Sequence, residues 1–542
     1  MYIREVLTLT ENAKKKKRAT PKSSKYSESK EMKKKFLDEI DSRPRRRYLI
    51  QLRKLTNFDI SDKIESTLTV RMYMRFGGCI RLEQLKYNYQ SFCILEDIKQ
   101  LVTDYNKLKD STDRSGKIRA MTNKINICLR ELLSDKINSS QHDQLSFEQV
   151  LANHNQFLMD KLPDFSLLGL AKNFDYDLFS MDNKFKYICK SYPEMLLTFK
   201  YLAEDRTKLK ALADFHVHGR MPILSYIWKH KVNQYCTLWR SSQIKSGIGG
   251  FIGITSKSDD EVELVRNIGK LCFNTDNELA KAQVIDCRHQ GTAFKSMISG
   301  YGYYDTKTYH IQQVSFAGMH DHNAVRESYQ SLQSSFEHGS DIAVLMQWFN
   351  VLKSAIDAAM QVRDLVLKGD SVIVNCSDGW DRTPIVCSLV KILLDPHYRT
   401  MKGFRELVHS EWTAHGHPFK RRQAYPNNED HSPTFFQFLD CVYQFKRQFP
   451  SSFEFTEKLL VILAHSYSED MFMEFACDNT EQYLEYKQLS ADEKDQGELS
   501  IWQFIGRQSV IDSRYRYRNL YLNVDSGCLL FDVCKMMPMA NF

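Results

Sequence analysis

The chain has 542 residues, of which 42% are apolar, 12% aromatic and 26% charged. That length is roughly three or four domains' worth at ~150 residues each, and the composition excludes disordered, collagenous and disulfide-scaffold classes. The net charge of +8 resides at one end: residues 1–50 carry 16 Lys and Arg against 7 Asp and Glu, whereas the other 492 carry 59 against 60.

The first 18 residues lack the order of a signal peptide, no apolar run approaches the ~18–20 residues of a membrane span, and 13 Cys without regular spacing suggest reduced thiols. A cytoplasmic protein is expected. Its basic arm holds Lys14–Arg18, Lys33–Lys35 and Arg43–Arg47 among Ser and Thr. Such clusters suit an anionic membrane surface, a nuclear-import or nucleic-acid patch, or a solvated tail.

In chain order, Ser66–Phe76 alternates with period two and is β-branched, which predicts a strand, and Cys79–Leu85 predicts a second beyond a Gly-Gly turn. Tyr89–Leu108 has helical spacing and Thr122–Ile137 predicts another helix. A domain boundary is drawn near residue 155, giving a basic arm over 1–60, a small β-rich unit with a helical linker over 61–155, and a main domain over 156–542. From Tyr192 short apolar runs such as Met221–Ile227, Lys281–Cys287 and Asp370–Cys376 alternate with longer helical patterns such as Gln347–Leu367. That alternation predicts an α/β fold with a central sheet flanked by helices.

The chemistry concentrates in Gly369–Asp395, which reads as a buried strand, a tight polar loop over Cys376–Arg382, and an amphipathic helix with Pro384 in its first turn. A loop bending over a helix N-terminus turns successive backbone N–H groups inward and makes an anion cradle. Cys376 at its start is placed to be a thiolate nucleophile, and Arg382, six residues on, can return across the ring and grip two phosphate oxygens. Thr383 is placed to hydrogen-bond the sulfur, and Asp378 and Asp381 put carboxylates in the same loop. A bare Cys-x5-Arg pattern arises often by chance, with the Cys a small core residue and the Arg a cap.

The whole string Cys376-Ser377-Asp378-Gly379-Trp380-Asp381-Arg382-Thr383 is more specific. It resembles the signature of the myotubularin family of phosphoinositide 3-phosphatases, within the cysteine-based phosphatase superfamily. Collinear likenesses extend over residues 165–525: Gly219–Tyr226, Arg240–Gln243, Glu411–Phe419 and Ser432–Phe455. Residues 66–108 are loosely similar to the closing strands and helix of the family's PH-GRAM domain.

The resemblance implies that Cys376 attacks the 3-phosphate of phosphatidylinositol 3-phosphate or phosphatidylinositol 3,5-bisphosphate, that Arg382 and the loop amides hold the phosphoryl group, and that Asp381 protonates the departing inositol oxygen. No metal or organic cofactor is implied. Ser377, Asp378, Gly379, Trp380, Thr383 and Arg422 would line the substrate site, with Asp378 and Trp380 open to a purely structural reading. Four departures from the family pattern mark the chain as a divergent member: Asn375 for a His before the nucleophile, Ser296 for an Asn, Asp321 in the stretch before Val325-Arg326, and Pro418 for a basic residue. A carboxylate at Asp321 would repel a polyphosphorylated headgroup if it faced the pocket.

The resemblance further implies phosphoinositide headgroups on endosomal or other phosphatidylinositol 3-phosphate membranes as partners, with peripheral attachment. It allows homo- or hetero-oligomers with another myotubularin-like protein and does not favour nucleic acid. The alternatives are a pseudophosphatase that binds lipid or scaffolds a partner without turnover, and, more remotely, a protein phosphatase. His320–His322 and His415–His417 lack a zinc partner set and are expected to be pocket-wall or loop residues. Arg220 and Arg240 are expected to tie strands together or to support the loop from behind, and Cys387 is expected to be core or a disulfide partner of Cys376 under oxidation.

Overall fold

A computed structural model describes the backbone of three strands between residues 55 and 86, then residues 147–161, most of 178–483, and a few positions between 500 and 529. Strands β1 (Leu55–Ile64), β2 (Thr67–Met74) and β3 (Cys79–Lys86) form an antiparallel meander. The two strands read from the sequence are β2 and β3. β1 crosses the limit drawn at residue 60: Phe58 and Ile60 alternate with Asn57, Asp59 and Ser61, and Asp62 interrupts that alternation before Ile64. The two helices expected over 89–137 lie outside the described residues.

Helix α1 (Phe147–Met159) runs unbroken through the boundary drawn near residue 155. It packs on the main domain: Phe157 stacks on His397 with ring centres 3.9 Å apart, and His154 Nε2 lies 3.0 Å from the Tyr398 hydroxyl.

β4 (Leu178–Asp182) and β5 (Met195–Phe199) pair as a hairpin, followed by α2 (Arg206–Phe215). The central sheet takes β6 (Ile223–Lys231), β7 (Gln234–Ser242), β8 (Gln283–Asp286), β9 (Gln313–Phe316) and β10 (Val372–Cys376) in the order β6-β7-β10-β8-β9. Only β6 and β7 run antiparallel; the other neighbours are parallel. β8 and β10 are buried at every residue, as expected of strands covered on both faces.

Helices α3 (Asp259–Lys270), α4 (Gln290–Ser296), α5 (His322–His338) and α6 (Ile342–Lys368) separate these strands. α6 has 27 residues, about 40 Å. It buries Leu345, Trp348, Leu352, Ala355, Ile356, Ala359, Val362 and Val366, a three-to-four-residue spacing that presents one stripe to the sheet. α7 (Arg382–Leu394) is buried at all thirteen positions and lies between α6 and a C-terminal layer of α8 (Met401–Leu407), a π-helical turn (Val408–Ala414), α9 (Thr434–Gln448) and α10 (Glu457–Glu469). Among the described residues no helix is long and apolar enough to cross a membrane. The topology sets β10 in the middle of the sheet with its carboxyl end open, where ligands of α/β sheets bind.

Candidate active site

β10 ends on Cys376, and α7 starts at Arg382. The loop between them turns at Gly379, whose φ of +76° favours glycine and whose Cβ, if it had one, would lie 2.7 Å from the Ser241 carbonyl oxygen. Two arginines fix the turn from behind. Arg220 Nη2 and Arg240 Nη2 donate to the Gly379 carbonyl at 3.0 and 2.9 Å. On the preceding peptide unit, the Gly379 N–H donates to Cys376 Sγ at 3.2 Å. The sulfur thus sits on the cradle the sequence predicted, with a donor suited to negative charge.

Each of those arginines is itself anchored. Arg220 also donates to the His415 carbonyl at 2.8 Å and to Ser191 Oγ at 2.6 Å, and lies over the Tyr192 ring. Arg240 donates to Glu411 Oε2 at 2.6 Å, and the same carboxylate accepts from Lys391 and from Ser225 Oγ. Burial alone would raise the Glu411 carboxyl, but Lys391 and Arg240 hold it well below the usual carboxylate range. Of the two roles expected for these arginines, loop support is what the hydrogen bonds show. The loop's first carbonyl, on Ser377, accepts from the Gln243 N–H at 3.1 Å, so the Arg240–Gln243 stretch brackets both sides of the turn.

Arg382 Nη2 donates to Ser377 Oγ at 2.8 Å, which brings its fork back across the loop as expected. Asn375 points to the other side of β10, where its Nδ2 donates to Asp286 Oδ2 at 3.2 Å; Asp286 also binds Arg288 through both oxygens. The residue standing for the family's histidine therefore braces a buried ion pair.

Asp381 is held in an ion pair. Arg422 Nε and Nη2 donate to its two oxygens at 3.0 and 2.7 Å, and His417 Nδ1 lies 3.5 Å away while bonding the Trp380 carbonyl at 2.7 Å. Burial alone would raise this carboxyl, but Arg422, by charge and paired hydrogen bonds, and the nearby His417 and His322 bring it well below the usual range. Arg422, expected at the substrate, is thus occupied by the expected acid. Trp380 stacks on His218 at 4.5 Å with Arg421 over its ring at 5.0 Å, and His218 Nε2 reaches Asp378 Oδ1 at 3.2 Å.

Three expected residues sit elsewhere or act otherwise. Thr383 Oγ1 is buried without a hydrogen-bond partner, so the donor to the sulfur is the Gly379 N–H and not this hydroxyl. Ser296, at the end of α4, donates back to the Thr292 carbonyl at 2.9 Å. Asp321 is exposed and caps α5, accepting from the Ala324 N–H at 2.9 Å. From that stretch it is His322 that feels Asp381 and Arg422.

Sequence reasoning missed His218, the Asp286–Arg288 pair and the Glu411–Lys391 pair, whereas His322 was among the histidines expected at the pocket wall or in a loop. Lys391 carried a signal, a lone cation in the apolar run Cys387–Leu394. His218 carried none beyond proximity to a motif.

A family model of a myotubularin-like phosphatase domain matches residues 137–484. Among curated proteins the chain is 31% identical over 374 residues to phosphatidylinositol-3,5-bisphosphate 3-phosphatase MTMR2 of Bos taurus, covering 67% of this chain and 55% of that protein. It is 32% identical over 370 residues to myotubularin of Xenopus tropicalis, covering 65% and 56%. A third relative, phosphatidylinositol-3,5-bisphosphate 3-phosphatase MTMR3 of Caenorhabditis elegans, is 32% identical over 356 residues, covering 63% and 34%. The chain thus spans about half the length of the first two.

Proposed function

The chain belongs to the myotubularin-like phosphatase family, and from that premise we propose that it removes the D3 phosphate of phosphatidylinositol 3-phosphate, with phosphatidylinositol 3,5-bisphosphate as a second substrate. The observation that carries this reading is the loop itself: Cys376, Arg382 and Asp381 occupy one turn whose Gly379 carbonyl accepts from two arginines and whose Gly379 N–H donates to the sulfur.

In the reaction Cys376 Sγ attacks phosphorus and the bond to the inositol oxygen breaks, with Arg382 and the loop amides holding the non-bridging oxygens. The leaving oxygen needs a proton, and Asp381 is the carboxyl at hand. Its pairing with Arg422 opposes protonation in the empty site. A phosphate dianion entering the cradle competes for the Arg422 fork, and as that fork turns to the lipid, burial drives the Asp381 carboxyl to take up a proton. Water then attacks the phosphocysteine, Asp381 accepts its proton, and inorganic phosphate leaves.

A bilayer substrate also needs a surface that meets lipid. Phe294, Ile298 and Tyr301 are 58%, 66% and 38% exposed on the segment just after Arg288. That segment is tied to the loop's rim: Gly302 N–H donates to the Ile244 carbonyl, and Arg288 Nη2 donates to the Gly302 carbonyl. Exposed Lys295 lies among them. We place the working site at membranes carrying the 3-phosphorylated lipids, such as endosomes.

The test is phosphate release from short-chain phosphatidylinositol 3-phosphate, its 3,5-bisphosphate, phosphatidylinositol 4-phosphate and a phosphotyrosine peptide, with Cys376→Ser alongside. Release confined to the 3-phosphorylated lipids and abolished in Cys376→Ser is expected. A folded protein that binds these lipids and releases nothing would be a pseudophosphatase, and release from the peptide would favour a protein phosphatase.

A further inference from the structure

A second thiol stands beside the nucleophile. Asn375 on β10 pairs in parallel register with Asp286 on β8, and their side chains meet on one face of the sheet at 3.2 Å. Because side chains alternate, the next residue of each strand, Cys376 and Cys287, points to the opposite face, where α7 and the cradle lie. The register persists one residue further, since the Cys287 N–H donates to the Asn375 carbonyl at 2.8 Å. Adjacent strands lie about 4.8 Å apart, within the Cα separation of about 4.4–6.8 Å that a disulfide spans.

We propose that Cys287 is a resolving thiol, and that Cys376 and Cys287 form a reversible disulfide when a hydroperoxide oxidises the site. Cys387, the partner suggested by sequence position, hydrogen-bonds Ser225 and feels Glu411, Arg240 and Lys391; it acts on Cys287 as well, but less than Cys376 does.

The step balances with hydrogen peroxide as oxidant. The Cys376 thiolate attacks one peroxide oxygen, the O–O bond breaks, and a sulfenic acid forms with release of hydroxide, which takes the Cys287 proton to give water. Cys287 sulfur then attacks the sulfenic sulfur, the S–O bond breaks, the departing oxygen is protonated to water, and the S–S bond forms. Two thiols supply the two electrons. The order follows from the electrostatics around Cys287: burial pushes its thiol up and the negative sulfur of Cys376 adds to that, with Arg382 opposing. Cys287 therefore waits as a thiol, and loss of the Cys376 charge on oxidation removes one obstacle to its ionisation.

The proposal rests on a reactive Cys376 and not on which phosphoester is cleaved. The experiment treats the reduced full chain with hydrogen peroxide and maps peptides without reduction, following lipid phosphatase activity in parallel. A Cys287–Cys376 cross-link is expected, with activity lost and then restored by dithiothreitol. Cys287→Ser should start with the same activity and lose it irreversibly, Cys376 carrying two or three added oxygens. If that variant fails to fold, Cys287→Ala replaces it, and the mapping of the unmodified chain decides alone. A Cys376–Cys387 link, or over-oxidised Cys376 without any link, would overturn the proposal. A chain without phosphatase activity that still gives the cross-link would count against the function proposed above and leave this one standing.

Discussion

Asp381 and Arg422 decide how the loop can use its acid. A general acid must be protonated before the reaction, so the rate falls as pH rises above its pKa. Arg422→Ala removes the charge and both hydrogen bonds that do most to depress Asp381, leaving burial to raise it against the smaller effects of His417 and His322. We expect kcat/KM for phosphatidylinositol 3-phosphate to fall about 10²-fold while its declining alkaline limb moves to higher pH, and Asp381→Asn to lose about 10²–10⁴-fold and that limb together. A pH–rate profile of the three proteins checks this; an unmoved limb in Arg422→Ala would show that another group supplies the proton. Gly379→Ala tests the cradle in the same way. Its positive φ and a Cβ 2.7 Å from the Ser241 carbonyl force the turn open, and we expect turnover to fall at least about 10²-fold while circular dichroism stays native.

At the scale of elements, the loop holds its shape because four of them meet on one carboxylate. Glu411 of the π-helical turn binds Arg240 of β7, Lys391 of α7 and Ser225 of β6, all buried. Glu411→Ala leaves two cations uncompensated and should cost about 3–5 kcal/mol, measured as the urea unfolding free energy at pH 7. A loss under about 1 kcal/mol would mean that solvent reaches the site. This network also shows what the sequence could and could not disclose. β10 and the loop were legible because a continuous apolar run and a polar turn follow one another from Gly369, whereas α7, read as amphipathic, is buried at every position because α6 and the C-terminal layer cover it from two sides. α1 was split by a boundary because its docking partners, His397 and Tyr398, are more than 230 residues away and leave no local mark. The Asp381–Arg422 pair escaped for the same reason: Asp381 was read as the acid and Arg422 as a substrate residue, and only the fold shows that they bind each other.

Over the whole molecule, buried titratable groups tilt stability with pH. His154 and His409 are held well below the usual histidine range by burial, and His415 and His417 are lowered to about 3 and about 4, again chiefly by burial. A group whose folded pKa is depressed contributes stability that is complete above its unfolded pKa, near 6.5, and lost as pH falls toward its folded value. Glu474 works in the opposite sense. Burial raises it to about 7 despite hydrogen bonds from Ser500 and the Ile501 N–H, so its contribution is complete below about pH 4.5 and is lost as pH rises through 7. Burial raises Asp440 as well. Between pH 6.5 and 5 the unfolded chain thus takes up histidine protons that the folded chain does not, His320, His322 and His431 being lowered as well, and the raised carboxyls offset only part of that. The urea midpoint should therefore drop as pH falls from 7 to 5, and it should drop more steeply in Glu474→Gln, which no longer retains a proton against the histidines. A midpoint that stays level or rises would mean that these histidines become charged without unfolding, and that the layer of α8, the π-helical turn and α9 admits water.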